Sequence, residues 1–443
     1  MTSPETSGSA ATRALALLPA PLRRHLETAV LPLCGWDPAA DVPEIGNELG
    51  GRRLAFGRAT LCRGGSARVM IEQLAALEGF GAESDVYAFE PGRDPAVEAE
   101  IRARCPSVRR IRRVARRLAA WNTLALAAAL RRHDLFVSSD IHDPLIFAAT
   151  VRRLRIMRPP RVAVVMHEAY DRYLEFLRPH APRIAAFCLD YDFTARLRAV
   201  YGPAIPAGIV APLFPFAGEK AAGGGDLRRA LGIPEDAQVL AYAGRLDRNK
   251  RIGLLADLLD DLLAEGRDRV WLLLAGRWED DAYRREIEAR FGREAVSPAG
   301  RRLRLSDRLR VAVSPPALGP VFSAADVFVF GSAIEGFYPL VVMEAQHAGL
   351  PVVCTGVGGL GRTILDGVTG CLVPTEPGSA EAGLRPDTRP AFADRVRLLL
   401  DGPEARARIG AAGRDVVDFL TAHYPFGRRF RRWLADTALP AAT

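Results

Sequence analysis

Arg245 and Lys250 stand five positions apart, directly after the apolar run QVLAYAG that ends at Gly244. Both side chains only donate hydrogen bonds, so together they suit an anionic group such as a diphosphate. Lys220 and Lys250 are the only lysines among 60 basic residues, and all the others are arginines. Because the composition favours arginine so strongly, the ammonium group retained at Lys250 indicates a specific task.

Two carboxylates occur further along the chain. Glu335 lies beside Gly336, after the apolar run DVFVFG, where backbone can approach a ligand closely. Glu344 lies in a helical pattern among apolar neighbours, and a carboxylate in such a place is rarely left unpaired. Glu344 therefore either pairs with a structural arginine or accepts hydrogen bonds from ligand hydroxyl groups.

Two glycine motifs follow strand-like runs. Gly64 and Gly65 join RLAFGRATL to a helical pattern, and exposed amides at a helix N-terminus suit a phosphate or hydroxyl group. The second motif, GVGGLG at 356–361, has the spacing of a dinucleotide fingerprint. That fingerprint needs a long helix and an acidic residue about 20 positions later, whereas the turn Asp366-Gly367 follows here. We therefore predict no dinucleotide site.

The elements that must position these residues are short apolar runs alternating with helical patterns. Such runs are typical of buried parallel strands, and their alternation with helices indicates an α/β protein with doubly wound sheets. They lie at 53–61, 134–139, 161–167, 238–244, 270–276, 309–313, 326–331 and 350–356. Open α/β sheets bind ligands at the carboxyl ends of their strands. We therefore expect the chemistry in a cleft that two such domains face.

A stretch rich in proline and glycine, 211–226, divides the runs into two halves. We predict an N-terminal extension at 1–50, an N-terminal domain at 51–212 and a C-terminal domain at 213–420. The last part, 421–443, is predicted as an amphipathic helix with Phe426, Phe430, Trp433 and Leu434 on one side.

The composition excludes several classes of protein. The chain has 443 residues, of which 49% are hydrophobic and 25% charged, so it is not a disordered protein. Its six cysteines show no CxxC spacing, which argues against a zinc ribbon, a thioredoxin motif or a disulfide scaffold. The longest apolar stretch is too short for a membrane span, and the start is unlike a secretion signal. The cytoplasm is the expected location.

The net charge of +8 is uneven, and between Arg102 and Arg117 eight arginines meet no acidic residue. Apolar residues such as Val108, Ile111 and Val114 recur there at helical spacing, as in an interfacial helix. We therefore predict peripheral contact with anionic lipid at the inner face of the membrane. The alternative is an apolar stripe that packs on the sheet while the arginines face water, pair with acids or hold a phosphorylated acceptor. Nucleic acid is not an expected partner.

In their order along the chain, these motifs resemble the retaining GT-B glycosyltransferases of family 4, the glycogen-synthase-like group. The similarity is strongest in LGIPEDAQVLAYAGRLDRNKRIGLL, FSAADVFVFGSAIEGFYPLVVMEAQHAGLPVVCTGVGG and LDGVTGCLVP. The resemblance implies two Rossmann-like domains, the first for an acceptor and the second for a nucleotide sugar. It also implies that the C-terminal helix crosses back to the first domain.

The resemblance assigns roles to particular residues. Arg245 and Lys250 match the pair that grips the donor diphosphate. Glu335 matches the glutamate next to the donor sugar, and Glu344 matches the one that takes the ribose hydroxyls. The residues that flank these in the implied donor site are Gly244, Gly336 and Phe337.

In the N-terminal half, Gly64 and Gly65 match the glycine loop that faces the donor phosphates and the acceptor. His167, at the end of the run RVAVVMH, lies where the family often has a histidine near the sugar. A structural role for His167 stays open.

The chain departs from the family in one spacing. The family has seven residues between the two glutamates, whereas Glu335 and Glu344 enclose eight. One residue inserted into a helix would turn everything after it by about 100°. The extra residue must therefore be absorbed between Tyr338 and Val342, as a longer loop or as a π-bulge.

The resemblance implies a retaining, metal-independent glycosyltransferase that uses a nucleotide diphosphate sugar and no further cofactor. Its acceptor is unidentified, and a lipid-linked compound or a glycan would suit it. Two alternatives stay open: a catalytically weak partner subunit that binds sugar nucleotides, and a GT-B epimerase.

Overall fold

The computed structural model describes residues 9–58, 61–62, 64–88, 94–110, 128–138, 161–166, 184–188, 195, 198–199, 202, 207–216, 223–313, 317–336, 338–375 and 388–439. The chain forms two compact units. The N-unit comprises Met1–Thr12, Leu31–Phe214 and His423–Thr443, and the C-unit comprises Arg13–Val30 and Pro215–Ala422.

The strands are β1 Arg53–Arg58, β2 Glu83–Ala88, β3 Val108–Arg110, β4 Leu135–Ser138, β5 Arg161–Met166, β6 Ile184–Cys188, β7 Ala207–Ile209, β8 Gln238–Ala243, β9 Val270–Ala275, β10 Glu294–Val296, β11 Arg302–Arg304, β12 Leu309–Ala312, β13 Val327–Phe330, β14 Val352–Thr355 and β15 Cys371–Val373. The helices are α1 Ala10–Leu17, α2 Ala20–His25, α3 Leu31–Leu33, α4 Gly65–Ala75, α5 Pro95–Arg104, α6 Gly224–Ala230, α7 Ile252–Ala264, α8 Asp281–Phe291, α9 Gly319–Ser323, α10 Leu340–His347, α11 Leu360–Thr363, α12 Thr388–Asp401, α13 Pro403–His423 and α14 Phe426–Trp433.

The N-unit contains a parallel sheet in the order β3-β2-β1-β4-β5-β6-β7. Leu54, Ala55 and Phe56 in its central strand β1 are fully buried. Burial of consecutive residues means that both faces of the strand are covered, as in doubly wound sheets. The strand order reverses between β1 and β4, and Gly64 and Gly65 follow β1.

The C-unit contains a second parallel sheet, in the order β12-β9-β8-β13-β14-β15. Its central strand β8 has fully buried residues from Val239 to Ala243. β9 and β12 extend the sheet on one side of β8, whereas β13 pairs with β8 on its other side. The switch point of this sheet therefore lies between β8 and β13. The prediction of two doubly wound α/β sheets is confirmed.

The C-terminal helix α14 belongs to the N-unit although it follows a long helix of the C-unit, so it crosses back as predicted. Its apolar side carries Phe430, fully buried, and Trp433, which is 4% exposed. A Cβ atom on Gly208 of β7 would lie 2.1 Å from Trp433 Cδ1, so the indole packs directly on the backbone of this strand. Just before the helix, Tyr424 Oη accepts a 2.9 Å hydrogen bond from the Ala211 amide, and burial raises the pKa of Tyr424 to about 12.

Two details differ from the sequence interpretation. Val108–Arg110, expected in an interfacial helix, forms the edge strand β3 beside β2. A three-residue run with one apolar side chain fits either element, and pairing with β2 decides between them. The predicted extension 1–50 is also divided, because Arg13–Val30 packs in the C-unit whereas Leu31 begins a segment of the N-unit. Among the described residues, no helix is both long and apolar enough to cross a bilayer.

The attachment of α14 depends on Arg431, which is 8% exposed. Its guanidinium donates to the Ala76 carbonyl at 2.7 Å and to Glu44 at 2.6 Å, and it lies 3.8 Å from the ring centroid of Phe80. We expect Arg431→Met to lower the stability of the N-unit by about 2 kcal/mol, because it leaves the Ala76 carbonyl without this donor and removes one of the two arginines that pair with Glu44. Thermal unfolding followed by circular dichroism measures the loss.

The matched control is Arg432→Met on the same helix. Arg432 pairs with Asp436 at 2.6 Å, and both side chains are about half exposed, at 42% and 53%. We expect an effect below about 0.5 kcal/mol. Equal losses for the two variants would contradict the role assigned to Arg431.

Candidate functional site

Arg245, Lys250 and Glu335, which were predicted from the C-terminal half of the sequence, lie on two loops at the switch point of the C-unit sheet. The loop after β8 runs from Gly244 to Arg251, and the loop after β13 runs from Gly331 to Pro339. Both loops leave the carboxyl ends of adjacent parallel strands. This is the position at which open α/β sheets bind ligands.

Lys250 and Glu335 meet in a buried ion pair between Nζ and Oε1. The two side chains are only 11% and 8% exposed. Lys250 Nζ also lies 5.5 Å from the ring centroid of Phe330 in β13, a cation–π distance. In such a poorly solvated place the attraction is stronger than in water, and removing either partner leaves a costly buried charge. The pair therefore holds the two loops together.

Backbone contacts fix Lys250 from the other side. The loop closes as a 3₁₀ turn, Arg248–Lys250, capped by Asp247, whose Oδ1 accepts from the Lys250 amide at 3.0 Å. The Asn249 carbonyl accepts from the Ala333 amide at 2.7 Å, which joins this turn to the loop after β13. The position of the ammonium group is thus set before any ligand binds.

Arg245 is the more accessible cation. Its side chain is 54% exposed and contacts Asp247 Oδ2 at 3.1 Å. Its carbonyl accepts a 2.7 Å hydrogen bond from the buried Tyr242 hydroxyl. Burial raises the pKa of Tyr242 well above its ordinary value, so this hydroxyl stays protonated and donates. The arrangement holds the backbone at Arg245 while leaving the guanidinium able to meet an anion.

The glycines at 356–361 have a structural role at this site. Gly358 has φ +56°, and a Cβ atom there would lie 2.1 Å from the Glu335 carbonyl oxygen. The next amide, of Gly359, donates to the Gly336 carbonyl at 2.8 Å. The loop after β14 therefore packs directly on the backbone that carries Glu335. The helix that follows, α11, has four residues.

Glu344 lies on α10, half-buried, between the buried residues Met343 and Ala345. The helix starts at Leu340 after Pro339 and is α-helical to its end. Of the two ways to absorb the extra residue, the described helix Leu340–His347 shows no π-bulge, and a longer loop before it stays the prediction. The loop is anchored by Tyr338, which is 2% exposed and donates its hydroxyl hydrogen bond to Gln346.

Gly64 and Gly65 belong to the N-unit, at the start of α4. Both are exposed, and the Gly64 carbonyl accepts from the amides of Ala67 and Arg68 at 3.1 Å. His167 and Phe337 lie outside the described residues. Within the described parts of the chain, no group of three histidine, cysteine, aspartate or glutamate residues is placed to hold a metal ion.

Sequence reasoning missed Arg251, between Lys250 and α7. It is the only non-glycine residue with positive φ in the described part of the chain, at φ 49° and ψ 49°. A left-handed arginine costs of the order of 1 kcal/mol and persists only where surrounding contacts hold it. No sequence motif predicts the positive φ of Arg251, because residues before a helix usually have ordinary backbone angles.

Part of the C-unit, including this site, is similar to known proteins. Residues 225–416, less than half of the chain, match the family of glycosyl transferases group 1. The D-inositol 3-phosphate glycosyltransferase of Kribbella flavida is 34% identical over 219 residues, 48% of this chain and 45% of the relative. The lipopolysaccharide 1,2-N-acetylglucosaminetransferase of Salmonella typhimurium is 30% identical over 172 residues, 39% of this chain and 44% of the relative. The chain spans less than half the length of the curated relatives it matches.

Solved structures resemble nearly the whole chain. Anabaena HepE in complex with UDP-glucose is 16% identical, with a TM-score of 0.68, over 87% of this chain and 99% of HepE. WaaG, a glycosyltransferase involved in lipopolysaccharide biosynthesis, is 15% identical, with a TM-score of 0.63, over 84% and 97%. At these identities the likeness establishes the fold, and the GT-B class predicted for it is confirmed.

The close packing of Gly358 on the Glu335 carbonyl can be tested by substitution. We expect Gly358→Ala to displace the Glu335 carbonyl and to lower the free energy of unfolding by at least about 1 kcal/mol more than a matched control, measured by thermal unfolding. The matched control is Gly367→Ala, where φ is +72° and a Cβ atom would meet nothing within 4 Å. Both variants bear the left-handed strain of about 1–2 kcal/mol, and Gly358→Ala alone adds the clash. An equal loss of stability in the two variants would contradict the role of Gly358.

Proposed function

We propose that the protein is a retaining glycosyltransferase that moves a sugar from a nucleotide diphosphate sugar to an acceptor hydroxyl. The buried Lys250–Glu335 pair at the switch point of the C-unit sheet carries this proposal. It lies within the segment that matches glycosyl transferases group 1. The experiment that tests it is transfer or hydrolysis of UDP-glucose by the pure protein, since the similar HepE was solved with that compound.

The cations suit the departure of a diphosphate. Negative charge develops on the leaving group as the bond to the sugar breaks, and fixed donors that meet this charge are worth roughly 3–4 kcal/mol each. An ammonium group has three donors, and Glu335 accepts one of those of Lys250. Arg245 contributes a more exposed guanidinium from the same loop. We propose that these two groups neutralise the leaving group without a metal ion.

The two glutamates suit the hydroxyl groups of the donor. Glu335 is held by Lys250 and by the packing of Gly358, so its carboxylate needs little reorganisation to accept from a sugar hydroxyl. Glu344 lies on α10, the helix that follows this loop, and is assigned to the ribose hydroxyls. Preorganised acceptors of this kind favour binding in one orientation.

The extra residue between Glu335 and Glu344 favours a second candidate function. An added residue between two donor-binding glutamates would shift one against the other, and binding would then persist with weak turnover. In that case the protein is a partner subunit that binds sugar nucleotides. UDP-glucose binding without transfer or hydrolysis would support this alternative.

Membrane contact stays a prediction. Arg102 pairs with Glu98 at 2.8 Å, and Arg104 lies 3.7 Å from Glu78, so two cations of the arginine-rich stretch already have acidic neighbours. Residues 111–117 lie outside the described residues. Location in the cytoplasm, binding of the acceptor by the N-unit and the identity of the acceptor likewise stay proposals.

The diphosphate role predicts that Arg245→Ala lowers turnover of UDP-glucose by more than about tenfold while the fold stays intact, because the side chain is half exposed. Lys250→Ala is expected to lower turnover as much and also to lower the thermal midpoint, because Glu335 is left buried without its partner. The double variant Lys250→Ala with Glu335→Gln should recover stability and not turnover.

Arg248→Ala is the control in the same turn. Arg248 is 57% exposed and pairs with Glu286 at 2.8 Å, so we expect turnover within about twofold of the wild type. Full activity in both Arg245→Ala and Lys250→Ala would refute the diphosphate assignment.

The ribose role predicts that Glu344→Ala weakens UDP binding by about tenfold, since hydrogen bonds to a charged acceptor are lost. Glu335→Gln should leave UDP affinity nearly unchanged and lower turnover of UDP-glucose. Calorimetry with UDP separates the two effects. Equal UDP affinity in the wild type and in Glu344→Ala would exclude the ribose role.

A further inference from the structure

An N-terminal segment outside the matched family region packs in the C-unit. Residues 13–30 comprise most of α1, then α2 and a π-helical turn, Leu26–Val30. The residues Leu22, His25, Leu26 and Val30 are buried and recur at helical spacing. The π-helical turn packs against α11. The segment is thus an integral part of the unit that carries the candidate site.

His25 makes a specific polar contact at this junction. Its Nε2 atom lies 3.1 Å from the carbonyl oxygen of Thr363, the last residue of α11. A carbonyl only accepts, so Nε2 carries the hydrogen and donates. Burial lowers the pKa of His25, which is consistent with a neutral ring. The bond satisfies one of the carbonyls that every helix leaves without an internal partner at its C-terminus.

Further hydrogen bonds connect Thr363 to the loop after β13, which carries Glu335. The Thr363 hydroxyl donates to the Gly359 carbonyl at 3.0 Å, and its amide donates to the same oxygen at 2.9 Å. The Gly359 amide donates to the Gly336 carbonyl at 2.8 Å. Gly336 follows Glu335, whose carboxylate pairs with Lys250. Three residues, Thr363, Gly359 and Gly336, therefore connect His25 of the N-terminal segment to Glu335 of the buried ion pair.

We propose that residues 13–30 brace the Glu335 loop through α11 and that His25 is a positioning residue for donor binding. The donor part of this inference rests on the function proposed above. The brace itself is a property of the fold. The four-residue helix α11 has few hydrogen bonds of its own, and short helices are marginal when isolated, so its contacts with β14 and with the N-terminal segment hold it in place.

The first test is amide hydrogen exchange, which needs no ligand. We expect His25→Ala to accelerate exchange of the Gly359 amide by about threefold or more, because one hydrogen bond of the path is lost. Thr363→Val removes the hydroxyl bond with little change in volume and should act in the same direction. His25→Gln retains an N–H donor and should lie closer to the wild type.

The second test is calorimetric affinity for UDP-glucose. We expect His25→Ala to weaken binding about threefold to tenfold, the effect of one lost hydrogen bond on an equilibrium. The control is Leu17→Ala, a residue of the same segment that is 86% exposed, with no expected change in either test. Circular dichroism verifies that each variant is folded.

The outcomes separate this inference from the proposed function. Wild-type exchange at Gly359 in His25→Ala overturns the brace. Faster exchange with unchanged affinity for UDP-glucose overturns the positioning role of His25. A wild-type protein that binds no UDP-glucose refutes the donor proposal, and the exchange measurements then decide the brace alone.

Discussion

The buried ion pair between Lys250 and Glu335 is the interaction on which the candidate site depends. Taking both charges out of water is costly, and their attraction offsets that cost only if the geometry is held closely. The surrounding backbone supplies this rigidity. The Asn249 carbonyl accepts from Ala333, and the Ser332 carbonyl accepts from the Thr355 hydroxyl at 2.6 Å. The loops after β8, β13 and β14 are therefore one hydrogen-bonded assembly.

Close backbone packing is the consequence, and it explains why glycines recur at this edge of the sheet. A Cβ atom on Gly276, after β9, would lie 1.8 Å from the Gly244 carbonyl oxygen. Gly244 itself has φ +142° and lies against the Tyr242 hydroxyl. The loops after β8 and β9 approach each other as closely as those that carry Glu335 and Gly358. Glycine at these places allows the loops that position the charges to pack closely. The same packing explains the GVGGLG spacing without a bound dinucleotide.

The individual charges of the site were predictable from the sequence, whereas their pairing was not. Lys250 stands out because lysine is so rare in this chain, and Glu335 because it follows a strand beside a glycine. That the two side chains meet follows from β8 and β13 being neighbours, which only the strand order shows.

The crossing of α14 was expected from the resemblance, and its apolar stripe needs a partner surface. The packing of residues 13–30 was not predictable, because a stripe of apolar residues shows that a helix packs and does not show on what. Val108 has helical spacing in the sequence and yet lies in a strand beside β2. This too was not predictable, because the sequence does not show which element a residue packs on.

Arg251 shows how firmly this assembly is held. Its amide donates to the Arg248 carbonyl at 3.0 Å, and its carbonyl accepts from the Leu254 amide at 2.9 Å. The residue is thus bound both to the 3₁₀ turn that carries Lys250 and to the first turn of α7. Relaxing its backbone would break one of these contacts, each of which joins the turn of Lys250 to α7. The strain at Arg251 persists because its relief would cost more than the order of 1 kcal/mol that it stores. A strained connection between a turn and a helix therefore fixes the charge that the proposed chemistry needs.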